Sequence, residues 1–254
     1  MLKEKREAGL SERTCLHIFR VLHRALGVAV RWGLLPANPC DRVEPPRPGR
    51  FEARALEPEE LSRLLDAARG TPAFVPVVLA ACCGLRAGEV LALEWPDVDL
   101  ERRELVVRRT LVSTKTGAVV KAPKTRSGAR AVPLPSLAVA ALREWRAEQA
   151  KLAWQAAERV CTRPDGRTPM TLSSLEWHFK QALRRAGLEG RVRFHDLRHS
   201  YTTALAKQGV HPKVAAALLG HATTAVTLEV YSHVTDAMKR EAAERLERVL
   251  PRPK

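Results

Sequence analysis

The amino-acid sequence predicts an α+β fold: a mostly helical domain with a small antiparallel three-stranded sheet, preceded by a short helical N-terminal segment. Apolar residues recur with helical spacing over most of the chain. Three short segments rich in β-branched residues, "ELVVRRTLVS", "GAVVKAP" and "RAVPLP", follow one another and predict the strands. A proline-rich stretch near residue 50 separates the first helix from the rest of the chain.

The N-terminal segment is predicted to contain one amphipathic helix over residues 11–32. Ser11 can cap its first turn, and the apolar residues that follow are three or four positions apart. The stretch "GLLPANPCDRVEPPRPGR" then holds five prolines, which break helix and sheet alike. We therefore predict a helical N-terminal domain over residues 1–48, a linker at residues 49–53 and the main domain over residues 54–254.

The main domain opens with two helices of different character. "EPEELSRLLDAARG" has Pro58 and two glutamates in its first turn, an apolar stripe, and Gly70 as its stop. "TPAFVPVVLAACC" is apolar on all sides, which predicts a buried helix that breaks at Gly84. A further helix is expected from about Ala87, so that Arg86 lies in the turn between the two.

The remaining elements are the strands and five more helices. Glycines and Thr-Lys pairs between the β-branched segments predict hairpin turns, and hence a small sheet. The helices are predicted over residues 136–158, 171–187, 196–208, 212–219 and 236–250.

The charge of the chain indicates a polyanionic partner. The formal net charge is +15, and the sequence pI of about 10.3 exceeds the value of about 9 that is typical of nucleic-acid-binding domains. The cationic residues are spread along the chain, which favours a basic surface on a folded domain over a basic tail. Surface charge that serves only solubility is the alternative.

The cysteines and the apolar segments indicate in which cellular compartment the protein is expected. Five cysteines are an odd number without C-x-x-C spacing, which indicates neither a disulfide framework nor a zinc ribbon. The N-terminal stretch has no apolar segment of signal-peptide type, and no apolar run approaches the roughly 18 residues of a membrane span. The sequence therefore predicts a soluble, intracellular protein with no membrane segment.

The segment "RFHDLRHSYTT" carries the first candidates for chemistry. His195 and Arg198 are three residues apart, so on a helix they lie on one face and can meet the same ligand. By itself such a pair more often lies on the surface or packs in the core without a catalytic role. His195 and His199 have the i, i+4 spacing of zinc ligands, but no H-E-x-x-H glutamate lies between them, so no metal is expected.

Four stretches of the chain together resemble the tyrosine recombinase, or phage integrase, family. "CCGLRAGEVLALEW" is similar to its first arginine box, and "KAPKTRSGARAVPLP" to the segment that carries its catalytic lysine. "FHDLRHSYTT" is similar to its H-x-x-R box, and "LLGHATTAVTLEVYSHV" to its final box, where the nucleophilic tyrosine follows a G-H. Four boxes in the family's order make chance agreement improbable.

The resemblance implies six catalytic residues: Arg86, Lys124, His195, Arg198, His221 and Tyr231. Tyr231 is the implied nucleophile, and because a phenol has a pKa of about 10 it needs a base and a positive field. His195 is expected to be that base. The two arginines are expected to supply the field and to clamp the phosphate through their planar guanidinium groups.

The other roles follow from the same resemblance. His221 would donate a hydrogen bond to a phosphate oxygen, and Lys124 would protonate the departing 5′ oxygen. Rival cations near Lys124 are Lys115, Lys121 and Arg126. Glu89 is expected to be buried and to orient Arg86, whereas His233 is expected to have no chemical role.

The implied function is site-specific recombination of double-stranded DNA through a 3′-phosphotyrosyl intermediate, without cofactor or metal. The alternatives are a truncated, catalytically silent DNA-binding relative and a DNA-relaxing enzyme similar to type IB topoisomerases. A homotetramer on two DNA sites and a place in the bacterial cytoplasm, associated with the nucleoid, are also implied. Residues 1–48 resemble only the last one or two helices of the family's N-terminal core-binding domain.

Overall fold

The computed structural model describes residues 2–49, 54–114, 117–122, 128–151, 158–163, 165, 168–190, 192–221 and 223–231. The chain forms two compact units, Met1–Glu52 and Ala53–Lys254. The described helices are α1 (Leu2–Glu7), α2 (Glu12–Arg31), α3 (Pro58–Ala68), α4 (Phe74–Cys83), α5 (Ala87–Leu91), α6 (Ser136–Lys151), α7 (Leu172–Arg185), α8 (Phe194–Lys207), α9 (Pro212–Leu219) and α10 (Ala225–Tyr231). The strands are β1 (Val98–Asp99), β2 (Glu104–Val107), β3 (Thr110–Thr114), β4 (Gly117–Lys121) and β5 (Arg130–Pro133).

The first unit is organised around α2. Its N-terminus is capped as predicted, since the Ser11 hydroxyl accepts a hydrogen bond of 3.2 Å from the backbone N–H of Thr14. A short 3-10 helix over Pro39–Arg42 folds back on α2. Asn38, which precedes this 3-10 helix, holds it against α2, because the Asn38 side chain donates to the carbonyl oxygen of His23 at 2.9 Å.

The core of the second unit surrounds α4. All but one of the residues of this helix are buried, and it packs against α6 and α8. The sequence prediction of a buried helix is therefore confirmed. The helix ends at Gly84, whose φ of +66° lies in the left-handed region, so the chain reverses there and delivers Arg86 to the start of α5.

The three-stranded antiparallel sheet is confirmed, but the sequence prediction was wrong about its strands. The sheet has the order β1-β2-β5, and β3 and β4 form a separate two-stranded hairpin. The segment "ELVVRRTLVS" is thus two strands rather than one. Arg109 lies at the break, where its side chain donates to Glu94 at 2.5 Å and to Asp97 at 2.6 Å. These ion pairs hold Arg109 against the turn before β1. After this point the chain continues into β3, which is not part of the first sheet.

Several boundaries differ from the prediction. The helix expected over residues 136–158 is described only to Lys151, and at residue 158 the chain accepts a backbone hydrogen bond from Trp95. The sequence does not predict α1, which buries none of its residues, or the short helix α10. The helix predicted over residues 236–250 lies outside the described residues. Where the structure describes the chain, no helix has the length and apolarity needed to cross a membrane.

Candidate active site

Glu89, on α5, is the centre of a cluster of arginines. Its side chain is 6% exposed, and it accepts from the Nη1 of Arg86 at 2.7 Å and from the backbone N–H of Arg86 at 2.9 Å. The expected role of Glu89 as a buried partner of Arg86 is therefore seen in the geometry. Arg86 itself keeps 40% of its side chain exposed, which leaves guanidinium donors available to a ligand.

Arg198, on α8, joins the cluster from a second element. It is buried, and it donates from Nη1 to the carbonyl oxygen of Gly84 at 2.5 Å and from Nη2 to that of Leu219 at 2.6 Å. Its Nη1 also lies 3.9 Å from a carboxylate oxygen of Glu89. One side chain thus joins the α4–α5 turn to the end of α9. The structure brings the predicted arginines Arg86 and Arg198 together around one carboxylate.

A third arginine, Arg130, completes the cluster and was missed by the sequence reasoning. It lies at the start of β5 and pairs with both oxygens of Glu89, at 2.9 and 3.2 Å. The sequence held a signal, because Arg130 lies two residues before Val132 in a predicted strand and so shares a face with that apolar residue. The structure buries this face. An arginine on the inner face of a strand must find a charged or carbonyl partner.

The cluster carries more positive than negative charge. Burial alone would raise the pKa of Glu89, but the hydrogen bond from Arg130 and the charges of Arg130 and Arg86 hold it below its usual value. Burial, followed by the charges of Arg86 and Arg130, lowers the pKa of Arg198 to about 9. Three guanidinium groups around one carboxylate leave an excess of positive charge, which a bound anion would stabilise.

Both predicted histidines border this positive cluster. Burial, followed by the charge of Arg198, lowers the pKa of His195. Burial and the charges of the three arginines lower the pKa of His221 to about 4. Each imidazole is therefore neutral at neutral pH. A neutral imidazole can accept a proton as a base or donate a single hydrogen bond through its N–H.

His221 is oriented by a residue that the sequence reasoning did not select. Its Nδ1 lies 2.8 Å from the hydroxyl of Thr227, which is fully buried on α10. Thr227 also lies one helical turn before Tyr231. The helix that carries the predicted nucleophile therefore also holds the imidazole of His221, whose Nε2 is left free of this contact.

For the DNA cleavage that the resemblance implies, replacing Thr227 with valine, which has nearly the same shape, is expected to lower the single-turnover rate by about 10-fold. The orientation of His221 is lost, and its Nδ1 is left without a hydrogen-bond partner at a cost of about 1 to 3 kcal/mol. The measurement is the rate constant for cleavage of a nicked duplex. Thr162→Val is the matched control, since Thr162 is also buried and hydrogen-bonded, to Gln149. Equal rates for the two variants would contradict the role assigned to Thr227.

The two tyrosines of the chain have different surroundings. The hydroxyl of Tyr231 is buried and makes no hydrogen bond with the described residues, and burial raises its pKa. Burial, followed by the neighbouring Cys83, raises the pKa of Tyr201 to about 12, against the opposing charges of Arg130 and Arg198. The charges of two arginines of the cluster therefore act on Tyr201, which the sequence reasoning did not select.

Not every predicted residue can be compared with the structure. Lys124, Lys115, Arg126 and His233 lie outside the described residues, and Lys121 is exposed on β4. Within the described ranges, no group of three or more histidine, cysteine or acidic side chains is arranged to hold a metal ion.

The turn at Gly84 is closely packed against α8 and α9. A Cβ added there would lie 2.5 Å from Cδ1 of Tyr201 and 3.0 Å from Cδ2 of Leu219, and φ is +66°. Gly84→Ala is expected to lower the free energy of unfolding by about 2 to 5 kcal/mol, since it combines left-handed strain with overpacking.

Urea unfolding of Gly84→Ala and Gly70→Ala separates the two contributions. Gly70 has φ of +70° and no atom within 4 Å of an added Cβ, so its alanine variant should lose only the backbone contribution of about 1 to 2 kcal/mol. If both variants lost the same stability, the close packing of Tyr201 on Gly84 would be refuted.

A family model and several known proteins match this chain, and they all belong to one family. The model of the phage integrase family matches residues 54–238. A tyrosine recombinase XerC-like protein of Caldanaerobacter subterraneus is 32% identical over 94% of this chain and 67% of its own length. The ICEBs1 integrase of Bacillus subtilis is 27% identical over 98% of this chain and 69% of its own length.

Solved structures share the fold. A Tn1549 transposon integrase, in complex with transposon right end DNA, superposes with a TM-score of 0.83 at 24% identity. The match covers 97% of this chain and 83% of that one. A lambda integrase dimer bound to a core site matches with a TM-score of 0.65 at 19% identity, over 91% of this chain and 62% of the other.

Proposed function

The chain belongs to the phage integrase family, and on that premise we propose that it is a tyrosine recombinase that cleaves and rejoins double-stranded DNA at specific sites. One observation carries the proposal: Arg86, Arg130 and Arg198 surround the single carboxylate of Glu89. Such an excess of positive charge fits one phosphodiester group, and the net charge of +15 fits the DNA around it.

Arg86 and Arg198 bind the nonbridging oxygens of the scissile phosphate in this proposal. A guanidinium group has five N–H donors, and Arg198 uses one from each of its Nη atoms on backbone carbonyls. Its remaining donors and those of Arg86 are preorganised for the charge that develops in the transition state. In this proposal the Thr227 hydroxyl donates to Nδ1 of the neutral His221, which then carries its proton on Nε2 and donates from there to the phosphate.

In the proposed reaction, side chains alone account for every bond formed and broken and for every proton transferred, so no metal or cofactor is needed. The phenolic oxygen of Tyr231 attacks phosphorus while His195 takes its proton. The bond from phosphorus to the 5′ oxygen breaks, and Lys124 protonates that oxygen. The product is a 3′-phosphotyrosyl bond and a free 5′ hydroxyl. Attack by the 5′ hydroxyl of another strand reverses these steps, so the strands rejoin without an external energy source.

Assembly on two DNA sites follows from strand exchange. Each exchange joins strands of two duplexes, and we propose a homotetramer that holds both of them. We propose that the protein acts in the bacterial cytoplasm, on the chromosomal DNA of the nucleoid.

Two assays with the purified chain test the proposal. In the first, labelled duplexes that carry the DNA flanking the gene are mixed, with and without EDTA. We expect recombinant strands only between site-bearing duplexes, and no effect of EDTA. In the second, a supercoiled plasmid without the site is added. Relaxation of that plasmid without strand exchange would indicate a topoisomerase, and DNA binding without either reaction would indicate a silent relative.

A further inference from the structure

Arg130 is the most completely bonded arginine of the cluster. Its side chain is 6% exposed. It donates from Nη2 and Nη1 to the two carboxylate oxygens of Glu89, from Nε to the carbonyl oxygen of Leu218 at 2.6 Å, and from Nη1 to that of Gly128 at 3.3 Å. These bonds use four of its five N–H donors. Unlike Arg86, it therefore has almost no capacity left for a phosphate.

The partners of Arg130 come from three different parts of the site. Glu89 orients Arg86. Gly128 follows the segment that contains Lys124, and Leu218 lies three residues before His221. A single buried side chain thus connects the carboxylate that orients Arg86, the backbone at Gly128 and the end of α9 before His221.

The bond to Leu218 also stabilises the end of α9. The last carbonyl groups of a helix have no partner within the helix and carry a partial negative charge. Arg130 binds the carbonyl of Leu218, and Arg198 binds that of Leu219. The two arginines together fix the direction in which the chain leaves α9, and hence the position of His221.

We propose that Arg130 is a positioning residue for strand cleavage, which holds Gly128 and the end of α9 before His221 against Glu89 without touching the phosphate. The proposal rests on the proposed function. It assigns to Arg130 a part in the rate of the chemical step rather than in DNA affinity.

The first test compares Arg130→Met and Arg130→Lys with the wild-type chain on a nicked suicide duplex. Both variants should slow single-turnover adduct formation, Arg130→Met by about 100-fold, as expected when reacting groups are misplaced by about 1 Å. The Kd for the same duplex should change by less than about 3-fold, since the phosphate contacts that dominate affinity remain. Arg130→Lys keeps the charge but cannot bridge the three partners, so it should not restore the rate.

A matched control separates positioning from folding. Arg109 also bridges two carboxylates, those of Glu94 and Asp97, at 2.5 and 2.6 Å. Arg109→Met should lower the thermal midpoint while leaving the cleavage rate of the folded protein unchanged. If Arg130→Met does not fold, Arg130→Lys carries the test, with a loss of at least about 10-fold in rate expected from the same misplacement.

A duplex with a methylphosphonate at the scissile position distinguishes positioning from phosphate binding. Its neutral phosphorus group lacks the charge that a clamping arginine stabilises, so the defect of Arg198→Ala should shrink on it. The defect of Arg130→Met should persist. The proposal would be overturned if the defect of Arg130→Met also shrank on the methylphosphonate duplex. It would equally be overturned if Arg130→Met cleaved the ordinary duplex at the wild-type rate. A wild-type chain that forms no adduct at all would instead reject the proposed function, and the role of Arg130 with it.

Discussion

Replacing Arg198 with alanine is expected to slow DNA cleavage by about 100 to 1,000-fold, the usual effect of removing one preorganised transition-state donor. The variant also loses the bridge between the carbonyl oxygens of Gly84 and Leu219, so the turn that carries Arg86 and the end of α9 are no longer joined. DNA binding should weaken only modestly, because other cations of the chain still contact phosphates.

Single-turnover cleavage of a nicked duplex measures this effect. Arg198→Lys is expected to recover little activity, because an ammonium group cannot donate in two fixed directions at once. Arg143→Ala is the control: Arg143 is also ion-paired, to Glu101, but more than half of its side chain is exposed. Cleavage by Arg198→Ala within a few-fold of the wild-type rate would reject the phosphate clamp.

Replacing Tyr231 with phenylalanine is expected to abolish covalent attachment to DNA while leaving the Kd within a few-fold of the wild-type value. The ring and its packing remain, and only the attacking oxygen is lost. A denaturing gel of labelled duplex resolves the adduct from free DNA.

Tyr201→Phe is the matched control for that experiment. The ring of Tyr201 packs on Gly84, and the proposed chemistry does not use its hydroxyl, so this variant should form the adduct. An adduct in Tyr231→Phe, or its loss in Tyr201→Phe, would show that the nucleophile is assigned to the wrong tyrosine.

Features set by neighbouring residues were predictable from the sequence. The pairing of Arg86 with Glu89 follows from their spacing of three across the start of a helix. The burial of α4 follows from its lack of a polar face. The cap at Ser11 is equally local.

Features set by long-range contacts were not predictable. Arg130 lies 41 residues from Glu89 and 88 from Leu218, so its role depends on how β5, α5 and α9 meet. The split of "ELVVRRTLVS" into two strands depends on carboxylates that lie earlier in the chain, at Glu94 and Asp97. Local β-propensity contains no information about these ion pairs.

The electrostatic environment of each tyrosine was also beyond the sequence. Motif spacing identifies Tyr231, but the structure shows that the charges of Arg130 and Arg198 act on Tyr201. Burial raises the pKa of Tyr231 in the free chain. The proposed reaction therefore requires a base and positive charge at the Tyr231 hydroxyl to lower that pKa.

The most direct measurement is to identify the residue that becomes linked to DNA. The wild-type chain is incubated with a nicked suicide duplex, the covalent adduct is isolated and digested, and the nucleotide-bearing peptide is sequenced by mass spectrometry. The prediction is a 3′-phosphotyrosyl linkage at Tyr231. A linkage at Tyr201 or at any other residue, or cleavage that leaves no covalent adduct, would contradict the proposed recombinase mechanism.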